Sequence, residues 1–243
     1  MKSLYTERTE LVVKSNDLIR KTRYSLTEQE QKIVIYLISK IQADDKELRE
    51  VEISILDFCK LCNINYDGTT SKAIKNAIKR LADKSWWLMY EGEEVLFRWI
   101  DKAKISKGTV KLRLCDFLTP FLIELKQNFT KYELINVLSL KGKYSIRLYE
   151  ILKSYLWQHK VILDLEDLKK TLQCPDYKAY KDFRIRVLDY SIDEINNYTD
   201  LNISYNTIKD GRKIVALEFE ITEKHGIQMS FDMYMNQQER LDK

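Results

Sequence analysis

Two periods of apolar residues alternate along this chain, and the order in which they alternate occurs twice. From Ser25 onward, Ile33, Val34, Leu37, Ile38 and Ile41 recur at helical spacing, with Ser25 or Thr27 as N-cap and Glu30 at capping-box distance from Thr27. Val51, Ile53 and Ile55 then alternate with Glu52 and Ser54, which predicts a short strand. A short helix follows over Asp57–Cys62, then a turn at Asn65-Tyr66-Asp67-Gly68. The next helix, capped by Thr69, Thr70 or Ser71, runs to about Lys84. Trp86–Tyr90, Val95–Ile105 and Thr109–Leu114, with Gly92 and Gly108 at turns, predict a small antiparallel sheet.

The second half repeats this order. Tyr144–Trp157 is an amphipathic helix, Val161–Leu165 a strand and Glu166–Leu172 a short helix. After a turn at Pro175-Asp176, a long helix covers Tyr180–Tyr198, and Leu201–Ile208 with Lys213–Ile221 form a hairpin around Asp210-Gly211. Ile55-Leu56-Asp57-Phe58 matches Leu165-Glu166-Asp167-Leu168 at an offset of 110 (167 minus 57). Ile74, Ile78 and Leu81 match Leu188, Ile192 and Ile195 at an offset of 114 (188 minus 74). The expected fold is α+β, two tandem winged helix-turn-helix domains related by an internal repeat. The boundary is expected near Lys126–Phe129, giving domains over 1–126 and 127–222 and a polar tail over 223–243. Only 2 prolines and 6 glycines punctuate the chain, so a loose linker is not expected.

A length of 243 residues allows each domain its own core. No apolar run is long enough to span a membrane and the N-terminus lacks a signal-peptide core, so a cytoplasmic protein is expected. Cys59, Cys62, Cys115 and Cys174 should then stay reduced. Cys59-Lys60-Leu61-Cys62 has zinc or redox spacing, but no second pair follows and His159 and His225 are distant. Two small apolar residues packing on a short helix is the preferred reading, with no metal and no cofactor.

A net charge of +4 permits a nucleic-acid partner without requiring one, so the placement of charge has to decide. On the helix after Asp67-Gly68, Ile74, Ala77, Ile78, Leu81 and Ala82 share one side at 100° per residue. Lys72, Asn76, Lys79, Arg80 and Asp83 share the other, and Lys75 adds to the same basic helix. Asn suits adenine, Arg and Lys suit guanine, and Thr70 and Ser71 at the helix start suit phosphate.

On the second such helix, Ile185, Leu188, Ile192 and Ile195 are expected inward with part of Val187, and Arg184 near the apolar side. Lys178, Tyr180, Lys181, Arg184 and Arg186 crowd its N-terminal half. That placement opposes the helix dipole, a cost a recognition helix can justify. Lys102, Lys104, Lys107 and Lys111 surround the first hairpin, and Lys209, Arg212 and Lys213 the second, as wing residues facing phosphate. Trp86, Trp87 and Trp99 are expected in sheet core. Phosphate-loop and dinucleotide motifs are absent, as is the histidine pair that rolling-circle nickases need.

Three groups of strings resemble iteron-type plasmid replication initiators. They are Val12–Ile19 with Tyr24–Ile33, then Lys143–Leu152, then Phe183–Leu188 with Glu194–Asn196 and Gly211–Lys213, together spanning roughly residues 11–222. The resemblance implies a monomer that binds directly repeated origin sites in double-stranded DNA, in equilibrium with a homodimer that represses its own promoter. It also implies a dimer contact in the first domain, and a host initiator ATPase and replicative helicase as partners. Phe183–Arg186 would form the base-reading segment, with Ile185 where many relatives carry a third basic residue. A winged-helix transcriptional regulator is the first alternative, and a rolling-circle-type nickase the second.

Overall fold

The computed structural model describes residues 4–174 and 176–224, so Pro175, His225 and nearly all of the expected tail lie outside the described residues. A one-turn helix α1 (Leu4–Arg8) leads into strand β1 (Leu11–Ser15) and helix α2 (Asn16–Lys21). Helix α3 (Glu28–Ser39) carries the expected capping box. Thr27 Oγ1 accepts from the Glu30 N–H at 3.3 Å, and Glu30 Oε2 accepts from the Thr27 N–H at 2.9 Å. The helix stops before Ile41, and all of its residues from Glu30 to Ser39 are buried, because other elements cover every side of it.

Strand β2 (Val51–Ser54) ends one residue early. Ser54 Oγ caps helix α4 (Ile55–Leu61) by accepting from the Asp57 N–H at 3.2 Å, which draws Ile55 into the helix. Helix α5 (Gly68–Asp83) follows. The aromatic-rich region forms two sheets where one was expected. Strands β3 (Ser85–Tyr90) and β4 (Glu93–Arg98) pair alone, whereas β5 (Ile100–Ser106) and β6 (Thr109–Leu114) join β2 in the order β2-β6-β5. The expected strand Val95–Ile105 breaks at Trp99. Its fully buried ring is wedged among Tyr24, Trp86 and Phe97, so the backbone turns there from one sheet to the other.

A short helix α6 (Thr119–Leu122) precedes strand β7 (Phe129–Glu133), helix α7 (Leu134–Leu138) and helix α8 (Lys143–Ser154). Strand β7 pairs antiparallel with β1, Val12 opposite Tyr132, across the position expected for the boundary. Strand β8 (Lys160–Asp164), helix α9 (Leu165–Thr171) and the long helix Tyr180–Tyr198 come next. That helix consists of α10 (Tyr180–Phe183), a π-helical stretch Arg184–Asp189 and α11 (Tyr190–Tyr198). Strands β9 (Leu201–Asp210) and β10 (Lys213–Glu223) close a sheet of order β8-β10-β9.

The repeat seen in the residues is therefore a repeat of topology. In both units a strand is capped into a short helix, by Ser54 in one and Asp164 in the other. A long helix follows, and the last strand of a hairpin inserts between the hairpin's first strand and the opening strand. The first unit differs by the β3–β4 hairpin inserted after α5.

A buried polar network joins β1, α2, α3 and β7 to α8. Lys14 Nζ lies 2.5 Å from Glu150 Oε1, and Tyr132 donates its hydroxyl to the same oxygen. Arg147 donates to the Ile19 and Thr22 carbonyls at 2.6 and 2.8 Å, satisfying the end of α2. Gln31 reaches the Lys143 carbonyl at 2.9 Å. These long-range ties fix α8 against the N-terminal elements.

Candidate nucleic-acid interface

Helix α5 presents the amphipathic division its sequence requires. Ile74, Ala77, Ile78 and Leu81 are buried, and Lys72, Lys75, Asn76 and Lys79 are exposed. Two features differ from expectation. The N-cap is Asp67, whose Oδ1 accepts from the Thr70 N–H at 2.7 Å, so Thr70 and Ser71 lie half-buried in the first turn. That bond holds the Asp67 carboxyl below its usual range. A carboxylate thus sits where the sequence suggested hydroxyls facing phosphate.

Arg80 is the other difference. Its Nε lies 2.5 Å from Oε1 of Glu30, a side chain with no exposure, and Lys84 Nζ lies 2.8 Å from the second oxygen. Burial alone would push the Glu30 carboxyl up, but hydrogen bonds from Lys84, the Thr27 backbone and Arg80 hold it below the ordinary carboxylate value. Arg80 thereby ties α5 to the start of α3.

In the second unit the π-helical stretch resets the helix face. At 100° per residue, Leu188 and Ile192 would bring Arg184 or Ile185 inward one turn earlier. Bonding from i to i+5 adds a residue to that turn. Phe183 takes the inward place instead, fully buried beside Val187 and Leu188, with Lys169 Nζ 5.6 Å from its ring centre. This exchange buries a phenyl ring and releases a guanidinium to solvent.

Phe183, expected to read bases, is therefore core, and Ile185, expected inward, is 49% exposed. Arg184, Ile185 and Arg186 form three consecutive exposed positions. Arg184 Nε lies 3.4 Å from Asp189 Oδ2, a five-residue pairing suited to the π stretch, and Tyr205 of β9 donates to Asp189 Oδ1 at 2.7 Å. Tyr180 is half-buried next to Tyr205, and burial raises its hydroxyl pKa. Lys178 and Lys181 are exposed at the start of the helix.

Phe183→Ala should destabilise the protein by about 3–5 kcal/mol, as loss of a core aromatic does. Phe183→Leu should cost less and leave duplex affinity unchanged once the protein is folded. Urea denaturation alongside mobility shifts checks this. Lost affinity in a fully folded Phe183→Leu protein would return this residue to the reading surface.

The wings are basic at their tips. Lys102, Lys104 and Lys107 are exposed around the β5–β6 turn, where Lys107 and Gly108 both have positive φ, 48° and 80°. Lys111 is exposed but lies 2.8 Å from Glu52. Lys209, Arg212 and Lys213 are exposed around Gly211 in the β9–β10 turn. Trp86 and Trp99 pack in the aromatic cluster as expected. Trp87 does not: alternation along β3 turns it outward, 60% exposed, opposite Leu96 at 51%. Cys59 and Cys62 are buried, and burial raises both thiols, Cys62 to about 12, so they pack as neutral apolar groups. No helix among the described residues is long and apolar enough to cross a membrane.

This arrangement has counterparts among known proteins. Residues 11–153 match the family model "Initiator Replication protein, WH1", and residues 164–221 match "Initiator Rep protein, WH2". A replication initiation protein of Escherichia coli is 28% identical over 94% of this chain and 75% of its own length. Among solved structures, the Pi initiator protein in complex with iteron DNA superposes with a TM-score of 0.73 at 21% identity, covering 90% of this chain and 99% of that one. Domains 2 and 3 of RctB superpose with a TM-score of 0.51 at 14% identity, covering 89% of this chain and 88% of that one. With both winged-helix models matched in order along one chain, this protein belongs to the initiator replication protein family.

Proposed function

We propose that this protein initiates plasmid replication by binding directly repeated sites in double-stranded DNA, with one winged-helix unit in each of two successive major grooves. The observation that carries the reading is that two units of the same topology expose basic residues from the equivalent helix. Lys72, Lys75, Asn76 and Lys79 do so in the first, and Lys181, Arg184 and Arg186 in the second. Lys178, Arg212 and Lys213 add phosphate contacts beside the second helix, and Thr70, Ser71, Tyr180 and Arg80 support the two helices from their edges. The Pi initiator protein, whose fold this chain shares, has been crystallised with iteron DNA. The protein acts by binding, without catalysing a reaction, and passes the opened origin to a host initiator ATPase and replicative helicase in the cytoplasm.

The test is a minimal replicon. A plasmid carrying this gene and its flanking DNA as sole origin should be maintained, and a frameshift in the gene should abolish maintenance. Maintenance without the protein would favour a transcriptional regulator. Nicking of the supercoiled plasmid by the pure protein would favour a nickase.

The same reading includes a monomer–dimer equilibrium in which the dimer represses the gene's own promoter. The exposed pair Trp87 and Leu96 on the β3–β4 hairpin is the first-unit surface suited to self-association. Trp87→Glu should weaken dimerisation at least about tenfold, a typical loss for an aromatic anchor, with little change in monomer stability. Sedimentation velocity over a concentration series measures it. An unchanged dimer fraction would place the contact elsewhere.

A further inference from the structure

Ile185 is a large apolar side chain held in solvent on a helix face that carries Lys181, Arg184 and Arg186 together with Asp182 and Asp189. The residues before and after it, Arg184 and Arg186, are both exposed, and the π-helical stretch Arg184–Asp189 brings all three to the outside together. As the middle of three consecutive exposed positions, Ile185 lies at the centre of the outward arc. On a helix a β-branched side chain is nearly confined to one χ1 rotamer, so its methyl groups are displayed in a fixed place. It is too short to lie alongside a phosphate as lysine or arginine can. It also offers no hydrogen bond to a base edge. In a major groove, the group it can contact favourably is the C5-methyl of thymine.

Resting on the function proposed above, we infer that Ile185 is a specificity-determining residue that reads a thymine methyl in the major groove entered by the second unit. Arg184 and Arg186 hold the helix against that groove on either side of it. The recognised repeat therefore carries a thymine that the protein distinguishes from cytosine by its methyl group, between positions read by arginine. A scattered exposed isoleucine is ordinary on a protein surface. Its place at the centre of this arc, between two arginines brought out by a π turn, sets this one apart.

The experiment couples a protein methyl group to a DNA methyl group. Wild-type full-length protein first selects duplexes from a random-sequence pool. In the selected repeat, each thymine is then replaced singly by deoxyuridine, which removes the C5-methyl and nothing else. One position should weaken wild-type binding by about fourfold, the value of one buried methyl group. Ile185→Ala should bind the unmodified repeat correspondingly more weakly and be indifferent to deoxyuridine at that position. Ile185→Val should retain part of the sensitivity. Because the side chain is half exposed, melting temperature should be unchanged in both variants.

Independent, additive losses from the protein and DNA changes would overturn the inference, as would the absence of any methyl-sensitive thymine. In either case the function proposed above would stand, since a duplex had been selected. Failure to enrich any duplex would overturn both.

Discussion

Glu150→Ala should lower the stability of the protein by about 3–5 kcal/mol, the cost of leaving a buried charge without its partner. The Glu150 side chain has no exposure and that of Lys14 has 3%, with 2.5 Å between Nζ and Oε1. Alanine would strand the Lys14 ammonium and the Tyr132 hydroxyl, and would leave Arg147, now 4.0 Å from Glu150 Oε2, without a neighbouring anion. Burial already lowers the Lys14 pKa, and Glu150 is the main group opposing that shift.

The pH dependence follows. With its folded pKa depressed further, Lys14 binds fewer protons in the folded than in the unfolded chain, so stability rises with pH across the interval between the two values. The variant's deficit should therefore shrink as pH climbs toward the ordinary lysine value of 10.5. Replacing both partners, Lys14→Met with Glu150→Leu, should cost less than Glu150→Ala alone, since the Lys14 ammonium is no longer stranded and only Arg147 loses its neighbouring carboxylate. Urea denaturation of the three proteins at two pH values checks this. A Glu150→Ala protein as stable as wild type would mean that the network contributes nothing to holding α8 against β1 and α2.

The second large effect separates reading from anchoring. Arg186→Ala should cost about 1–3 kcal/mol on the selected repeat and relax preference at one base pair, because an arginine–guanine contact is lost at that position alone. Lys213→Ala, at the exposed β9–β10 turn, should weaken binding to every sequence and reduce the salt slope by about one unit. Arg186 is exposed and has no place in the core, so its truncation should leave the fold intact. Titrations on cognate and scrambled duplexes over a salt series distinguish the two. Equal losses on both duplexes for Arg186→Ala would remove it from the base-reading set.

The winged-helix order was legible because its signals are local. The α3 capping box lies within four residues, the α5 apolar face keeps a constant period, and glycines mark the hairpin turns at Gly92, Gly108 and Gly211. What was not legible depended on distant partners or on a changed period. Five-residue strands β1 and β7 find each other across more than a hundred residues, and nothing in either announces the other. Arg80 and Glu30 meet only once α5 packs on α3.

Along the helix Tyr180–Tyr198, a period of 100° per residue predicts Ile185 inward, and the resemblance to initiators implies Phe183 among the base-reading residues. The π stretch reversed both. The available hint was chemical: a phenyl ring and an arginine competed for one inward position. Two other local signals bear on the exposed surfaces. Strand parity turns Trp87 away from the face that Trp86 and Leu88 share. Asp67 precedes Gly68 as an N-cap at least as suitable as the hydroxyls that follow it.

In the proposed function, two like units read successive major grooves of one duplex. Hydroxyl-radical footprinting, combined with guanine-N7 methylation interference, tests it most directly on a fragment bearing the selected repeat. Protection is expected over about two helical turns on one face, with two clusters of interfering guanines roughly one turn apart. Ala substitutions at Asn76 and Lys79 should relieve one cluster, and Arg186→Ala the other. Protection confined to a single turn, or tighter binding to either separated strand than to the duplex, would contradict it.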